Sequence, residues 1–441
     1  MEKAYYTYRI QVVSRERVRV TKLNSEQQVL ANVPPSDLRY QEKLDPLTGL
    51  VKKAQGNSLN SPDKVRELGE ILFDVLFDNA LCQDFVNFYY EVVQGKKQFL
   101  RIELDIDEQI LPDLAALPWE FMCLPARENQ GEIWLATDPS LIFSRHSTRW
   151  QSPPNIQLGK DEKLKIAVVV AMPPDLNEFN YAPVQANLEA LASEQAEYME
   201  LLPIVTQADR KSINAVLEQK PHIFHFIGHG QLEDEQGREV GQLALVDKSL
   251  EQAEWSDANQ FSGLFAQHRP AIVVLQACEG GAISASEAFA GVASKIVQQN
   301  IPVVIAMQYL VPINIANQFV LSFYEQLAKG YPVDVAAQVG RNAIALGTSQ
   351  YKKRNFATPV IFMQGDDGYL FQRAGVEAEP VTPETIRAFL AEADIEFDEA
   401  EDAEIIGNEF SEAPSGGEHR ARIKGRLVRR GKIVGNQYRS L

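Results

Sequence analysis

The chain has 441 residues, 45% of them hydrophobic, and 60 Asp and Glu against 43 Lys and Arg, for a net charge of −17. An acidic surface repels phosphate backbones, which argues against direct nucleic-acid binding. No apolar run approaches the roughly 20 residues that span a bilayer, and MEKAYYTYRIQVV lacks the layout of a secretory signal, so no membrane partner and a cytoplasmic location are expected.

At about 150 residues per domain the length allows two or three domains. Tyr5 to Val20 alternates apolar and polar residues and reads as strands. Residues 45–62 (DPLTGLVKKAQGNSLNSP) look like loop, and Ser61-Pro62 then supplies an N-cap with proline at the first helical position. Val65, Leu68, Leu72, Val75 and Leu76 follow at helical spacing, Phe99 to Leu104 reads as a strand, and an LPWE segment spans Leu117–Glu120. The polar stretch SPPNIQLGKDEK (152–163) marks a boundary, so residues 1–160 form an N-terminal unit.

Residues 161–375 alternate apolar runs with helical patterns. The runs are Ile166–Ala171, Leu201–Val205, His222–Ile227, Ala271–Leu275, Pro302–Ala306 and Pro359–Met363. Near-continuous β-branched runs suit strands buried on both faces. Between them Val184, Leu188 and Leu191 form one helical stripe, and Ile315, Phe319, Phe323 and Leu327 form another, closed by Gly330. The rhythm predicts a mostly parallel sheet with helices on both sides. Residues 376–441 form a charged tail: an acidic block from Glu396 to Glu412, a PSGG break, then a basic block from Arg420 to Arg439. Such blocks are expected to be solvated and mobile, able to pair with each other or with another chain. No internal repeat is evident along the chain.

Two strand ends carry the chemistry. In PHIFHFIGHGQ (221–231) an apolar run ends in Gly228-His229-Gly230, and in AIVVLQACEGG (271–281) a second ends in Gln276-Ala277-Cys278. The carboxyl ends of parallel strands face the ligand crevice. If the two strands are neighbours, imidazole and thiol meet there, and the imidazole promotes the thiolate and protonates a leaving amine. The amides of Gly230 and Cys278 are candidate oxyanion donors. His222 and His225 lie within their run and read as structural, with a supporting role for His225 as the lesser alternative. Cys82 and Cys123 have no neighbouring His-Gly and read as core or surface thiols. Three cysteines give no disulfide framework and no metal-ligand spacing, so neither a metal nor another cofactor is expected. Asp175, after the first strand of the second unit, either edges the cleft or caps a helix.

QACEG fits the Q-A-C-x-G signature of caspase-type peptidases, with Glu279 departing from the residues usual there, and Cys278 lies 49 positions after His229, where about 50 is expected. The chain resembles the CHAT domain, a branch of the caspase/separase-like cysteine peptidases. That family shows a strand ending in HxxGHG, here His225–Gly230, and one ending in LxAC, here Leu275–Cys278. LPWE (117–120), LATDPSLIFSR (135–145), QFVLSFYEQLAKGYPVDVAAQVGR (318–341) and FATPVIFMQGDDGYLF (356–371) extend the likeness over about residues 60–373. The resemblance implies a caspase-like three-layer α/β/α sandwich with a mostly parallel sheet over 161–375, preceded by a related non-catalytic α/β half. It assigns His229 as general acid/base, Cys278 as nucleophile, Gly230 as oxyanion glycine, and Gln276, Asp175 and Gln308 as candidate substrate-binding residues. A neutral Gln276 disfavours a basic cleavage-site residue and leaves an apolar one as the expectation. It further implies an endopeptidase that cuts a cognate protein, such as a gasdermin-like or regulatory protein, in bacterial defence or signalling, with an activating protein partner. The rival readings are a catalytically silent scaffold and a small-molecule hydrolase, the latter unsupported by any G-x-S-x-G elbow.

Overall fold

The alternating N-terminal segment folds into strands Tyr5–Ser14 (β1), Arg17–Leu23 (β2) and Val29–Asp37 (β3), followed by helices Tyr40–Gln55 (α1), Pro62–Leu76 (α2) and Asn79–Tyr89 (α3). The structure is a computed structural model that describes residues 5–59, 61–127, 131–146, 155–235, 238–277, 283–298, 301–309, 313–346, 354–365, 368–373, 382–390, 393–401, 404–410, 421–429 and 432–438. The Ser61 hydroxyl caps α2 by accepting from the Lys64 amide, and Val65, Leu68, Leu72, Val75 and Leu76 are buried, as their spacing predicts. Helix α1 corrects the loop expected from residue 45 onward. Pro46 removes one donor, but Leu47, Leu50 and Ala54 share a buried face. Tertiary burial of that stripe outweighs the local breaker.

Strands Phe99–Ile106 (β4), Leu141–His146 (β5) and Leu164–Val170 (β6) follow, then helix Ala182–Glu194 (α4) and the short strands Met199–Leu201 (β7) and Val205–Thr206 (β8). After helix Arg210–Leu217 (α5) come strand Ile223–Gly228 (β9) and a separate antiparallel sheet of Gly230–Glu235 (β10), Arg238–Asp247 (β11) and Gln252–Asp257 (β12). Helix Ala258–Gly263 (α6), strand Ile272–Ala277 (β13), helix Ile283–Gln298 (α7), strand Val303–Met307 (β14), helices Ile313–Ala328 (α8) and Val333–Leu346 (α9), and strand Pro359–Met363 (β15) complete the body.

One sheet joins these strands in the order β7-β6-β9-β13-β14-β15-β5-β4-β1-β2-β3, with β8 also on β6. Pairing is parallel except for β14 with β15 and for β1-β2-β3. The fold is therefore mixed α/β around a large, mostly parallel sheet. The sheet is continuous across residue 160, because β15 pairs with β5. Alternate residues of the central strands enter two cores. Ile223, Ile227, Val274 and Ile305 pack with Phe319 and Phe323 of α8, while Phe224, Phe226, Val273 and Leu275 pack with Ile213, Phe261 and Ile296. Burial on both faces explains the unbroken apolar runs. Gly330, at φ +81°, ends α8 in the left-handed conformation that favours glycine. Among the described residues no helix is long and apolar enough to cross a membrane.

The LPWE segment is a structural anchor. Trp119 is fully buried and donates Nε1 to the Leu114 carbonyl at 2.9 Å. Glu120, also fully buried, accepts two bonds from Arg145 of β5, at 2.9 and 2.6 Å, while Arg145 also donates to the carbonyls of Ala115 and Leu117. Gln308, just beyond β14, donates to Glu120 at 3.0 Å and to the Ala357 carbonyl.

Beyond the body lie helix Pro383–Leu390 (α10) and four strands, Ala393–Glu401 (β16), Glu404–Phe410 (β17), Ala421–Arg429 (β18) and Lys432–Tyr438 (β19). Within the charge blocks β16 pairs with β18 and β17 with β19, both in parallel. The ladders also reveal a repeat that the composition hides. Every partner lies 28 positions further along the chain, from Ala393 opposite Ala421 to Phe410 opposite Tyr438.

Removing one partner of a buried ion pair leaves the other charge uncompensated. Glu120→Ala is therefore expected to lower stability by about 3–5 kcal/mol, read as the loss in urea midpoint at constant slope. A change below about 1 kcal/mol would show that Arg145 finds another partner.

Candidate active site

β9 and β13 are adjacent and parallel, each flanked on its other side by a further parallel strand of the sheet, and their register pairs Gly228 with Ala277. These are the residues immediately before His229 and Cys278. Cys278 itself lies outside the described residues, so the site is built here from the histidine and from what surrounds it.

His229 is buried. Its carbonyl accepts from the Ala244 amide of β11 at 3.0 Å, which fixes the backbone where β9 gives way to β10. Gly228 is required at this crossing: a Cβ there would meet the Phe226 ring at 2.8 Å and the Ala171 carbonyl at 3.2 Å. Hydrogen-bonded and open pairs alternate along an antiparallel ladder. With Ala244 bonded to His229, the Gly230–Leu243 pair falls in the open class, and the Gly230 amide is not consumed by β11.

The loop after β6 covers the imidazole. Phe179 packs edge-on against it, with centroids 5.3 Å apart. The Asn177 main chain hydrogen-bonds the ring and favours its protonated form, so the carbonyl is the acceptor. Nε2 is buried without a partner among the described residues, which leaves Nδ1 as the donor to Asn177. That bond selects the tautomer whose Nε2 carries a free lone pair. Burial lowers the His229 pKa below the ordinary histidine value, against the opposing influences of Asn177 and of the charge on Asp175. The ring is thus neutral near pH 7 and able to accept a proton. Asp175 is exposed, and it is not the cap of α4, which begins after Tyr181.

Beneath His229 runs a buried polar chain. Tyr324 of α8 bonds His225 Nδ1 at 3.1 Å, and His225 Nε2 bonds Gln276 Oε1 at 3.1 Å. A carbonyl oxygen only accepts, so Nε2–H donates to Gln276 and Nδ1 accepts from the Tyr324 hydroxyl. All three residues are buried, and desolvation holds the His225 pKa down at about 4. Gln276 is therefore locked in place by its neighbour, whereas Gln308 belongs to the Glu120–Arg145 cluster.

Neither remaining thiol competes for a nucleophilic role. Cys82 and Cys123 are buried, and desolvation raises both thiol pKa values. Sequence reasoning missed Asn177, Phe179 and Tyr324. Only Tyr324 left a signal, a phenol beside the apolar stripe of α8 whose hydroxyl needs a partner once buried. Among the described residues no cluster of ligating side chains is placed to hold a metal.

The CHAT domain family matches residues 66–377. Comparison with curated protein sequences gives no match. Among solved structures, the Saccharomyces cerevisiae separase–securin complex matches over 85% of this chain and 30% of that one, at 11% identity and a TM-score of 0.44. This chain thus spans under a third of that separase chain. The Arg-specific cysteine proteinase gingipain R matches over 75% of this chain and 76% of its own, at 12% identity and a TM-score of 0.38. The complex of Porphyromonas gingivalis RgpB pro- and mature domains matches over 75% and 77%, at 13% identity and 0.37.

His225 has a testable acid signature. Its folded pKa of about 4 lies below the free value of 6.5, so as pH falls between them the unfolded chain binds a proton that the native chain refuses. Stability is expected to fall over that window by up to about 1.4 kcal/mol per pH unit. His225→Gln should make the slope of Tm against pH shallower there, and an unchanged slope would assign the acid loss to other groups.

Proposed function

Because the chain belongs to the CHAT domain family, we propose that it is a cysteine endopeptidase in which His229 and Cys278 form the catalytic dyad. The observation that carries this reading is the Gly228–Ala277 register, which starts both residues from neighbouring strand ends on one rim of the sheet. An oriented imidazole whose Nε2 is without a partner among the described residues, and whose pKa burial lowers, supports it, since a general base needs a free lone pair near its working pH.

In this mechanism Nε2 takes the proton of the Cys278 thiol. The thiolate attacks the scissile carbonyl, and the imidazolium returns the proton to the leaving amine. Water, deprotonated by the same nitrogen, then releases the acyl group and regenerates the thiol. The amides of Gly230 and Cys278 hold the oxyanion, consistent with the Gly230 amide being left out of the β11 ladder. Gln276, whose oxygen is engaged by His225, presents no charge to a cleavage-site residue, which favours an apolar side chain over a basic one; Asp175, exposed beside the loop over His229, edges the cleft. The substrate is a cognate protein in a bacterial defence or signalling system, gasdermin-like or regulatory, cut in the cytoplasm once a protein partner activates the enzyme.

The test is a cleavage assay against proteins encoded beside this gene. Cys278→Ala and His229→Ala should each reduce cleavage by more than about a thousandfold while leaving the unfolding midpoint near that of the wild type. The acid limb of the wild-type rate should titrate below the ordinary histidine range, following the lowered His229 pKa. Cleavage by Cys278→Ala at the wild-type rate would leave only a scaffold or a different nucleophile.

A further inference from the structure

The 28-residue repeat is a repeat with its charges inverted. Register places Asp394 opposite Arg422, Glu396 opposite Lys424, Glu401 opposite Arg429 and Glu404 opposite Lys432. Several uncharged positions are kept alike: Ile395 pairs with Ile423, Ile405 with Ile433, Ile406 with Val434, Asn408 with Asn436 and Phe410 with Tyr438, whereas Phe397 pairs with Gly425, Glu399 with Leu427 and Glu409 with Gln437. Like over like along parallel strands, with Asn over Asn, is the arrangement of in-register stacks, in which each chain templates the next. Identical charges stacked in this way repel, whereas opposite charges at facing positions stabilise. Alternating an acidic and a basic repeat removes the repulsion from every step of such a stack.

The stack is unfinished within one chain. β16 with β18 and β17 with β19 are two-stranded parallel sheets, and among the described residues no third strand joins either of them. Isolated two-stranded sheets are marginal in water, and open edges are templates for another chain. One edge belongs to the acidic repeat and the other to the basic repeat. A second copy therefore supplies the missing partner: its acidic β16 and β17 continue the free edge of β18 and β19 with the same register and the same charge alternation.

We propose that the C-terminal segment is a self-stacking module whose partner is the same segment of a second copy of this chain, added head to tail at the strand edges. The contact is heterologous, since acidic edge meets basic edge, and it leaves a new edge at each end. Repetition by translation gives an open filament rather than a closed dimer. The peptidase fold would then be displayed along the filament at one copy per two strand layers.

The test uses the full chain and two charge-reversed variants, Glu396→Lys with Glu404→Lys, and Lys424→Glu with Lys432→Glu. Wild type should sediment as concentration-dependent filaments whose fibre diffraction shows the spacing of about 4.7 Å between stacked strands. Each variant alone places like charge on like at these positions and should need at least about tenfold more protein to assemble. The chain carrying all four substitutions, in which the charges are exchanged, should assemble near the wild-type threshold. An equimolar mixture of the two variants should assemble at a threshold below that of either alone and above the wild type's, because opposite charges then meet between copies while like charges still face within each copy. Unchanged thermal unfolding of the body in every variant shows that the fold survives. A wild-type chain that stays monomeric up to its solubility limit overturns the proposal. So do variants that assemble as readily as the wild type, or a mixture that does not co-assemble.

Discussion

The lateral pairing of Ile223–Gly228 with Ile272–Ala277 is the constraint from which the candidate site follows. Two parallel strands buried on both faces have no freedom to slide, because a one-residue slip would exchange the residues of the two cores. The register thereby determines that the chain leaves both strands at the same level of the sheet. Gly228 tightens this further, since Phe226 and the Ala171 carbonyl leave no room for a side chain at the exit. The imidazole of His229 is then held from three directions, by the Ala244 amide on its carbonyl, the Asn177 main chain on its ring and Phe179 against its edge.

Two buried polar clusters lie near this rim and where the early and late strands of the sheet meet. Tyr324, His225 and Gln276 form one chain in which the phenol donates to Nδ1 and Nε2–H donates to the amide oxygen. Glu120, Arg145 and Gln308 form another, tying the LPWE segment to β5 and to the end of β14. Satisfied networks of this kind are costly to disturb and admit few alternative arrangements. They give the aliphatic strands, which by themselves discriminate poorly between neighbours, a specific order. His229 Nε2 is buried and without a partner among the described residues, as a group that accepts a proton from a reacting atom must be.

The body and the C-terminal segment use β-structure in different ways. In the body, unlike apolar residues interdigitate with helices on two faces, and each strand has its own neighbours. In the C-terminal segment, pairing runs through a constant offset of 28 positions that sets several like residues and four opposed charge pairs in register. The first arrangement specifies one closed structure, whereas the second specifies a step that can be repeated.

The residues alone were enough to read the alternation of strands and helices, the capped helix after Ser61, the stripe of α8 and the two strand ends bearing His229 and Cys278, because each depends on periodicity or on neighbours in the chain. Helix α1 was misread because Pro46 is a local signal, while the burial of Leu47 and Leu50 is a tertiary one. The repeat escaped because charge inversion removes the likeness that composition detects, and only the ladder pairs Glu396 with Lys424. Asn177, Phe179 and the Tyr324–His225–Gln276 chain were decided by the tertiary structure, since loop approach and partner choice across 99 positions leave no trace in local sequence. Sequence determines which segments become strands and which residues end them; the packed sheet decides which ends are adjacent, because pairing is chosen by the burial of whole faces rather than by any residue's neighbours.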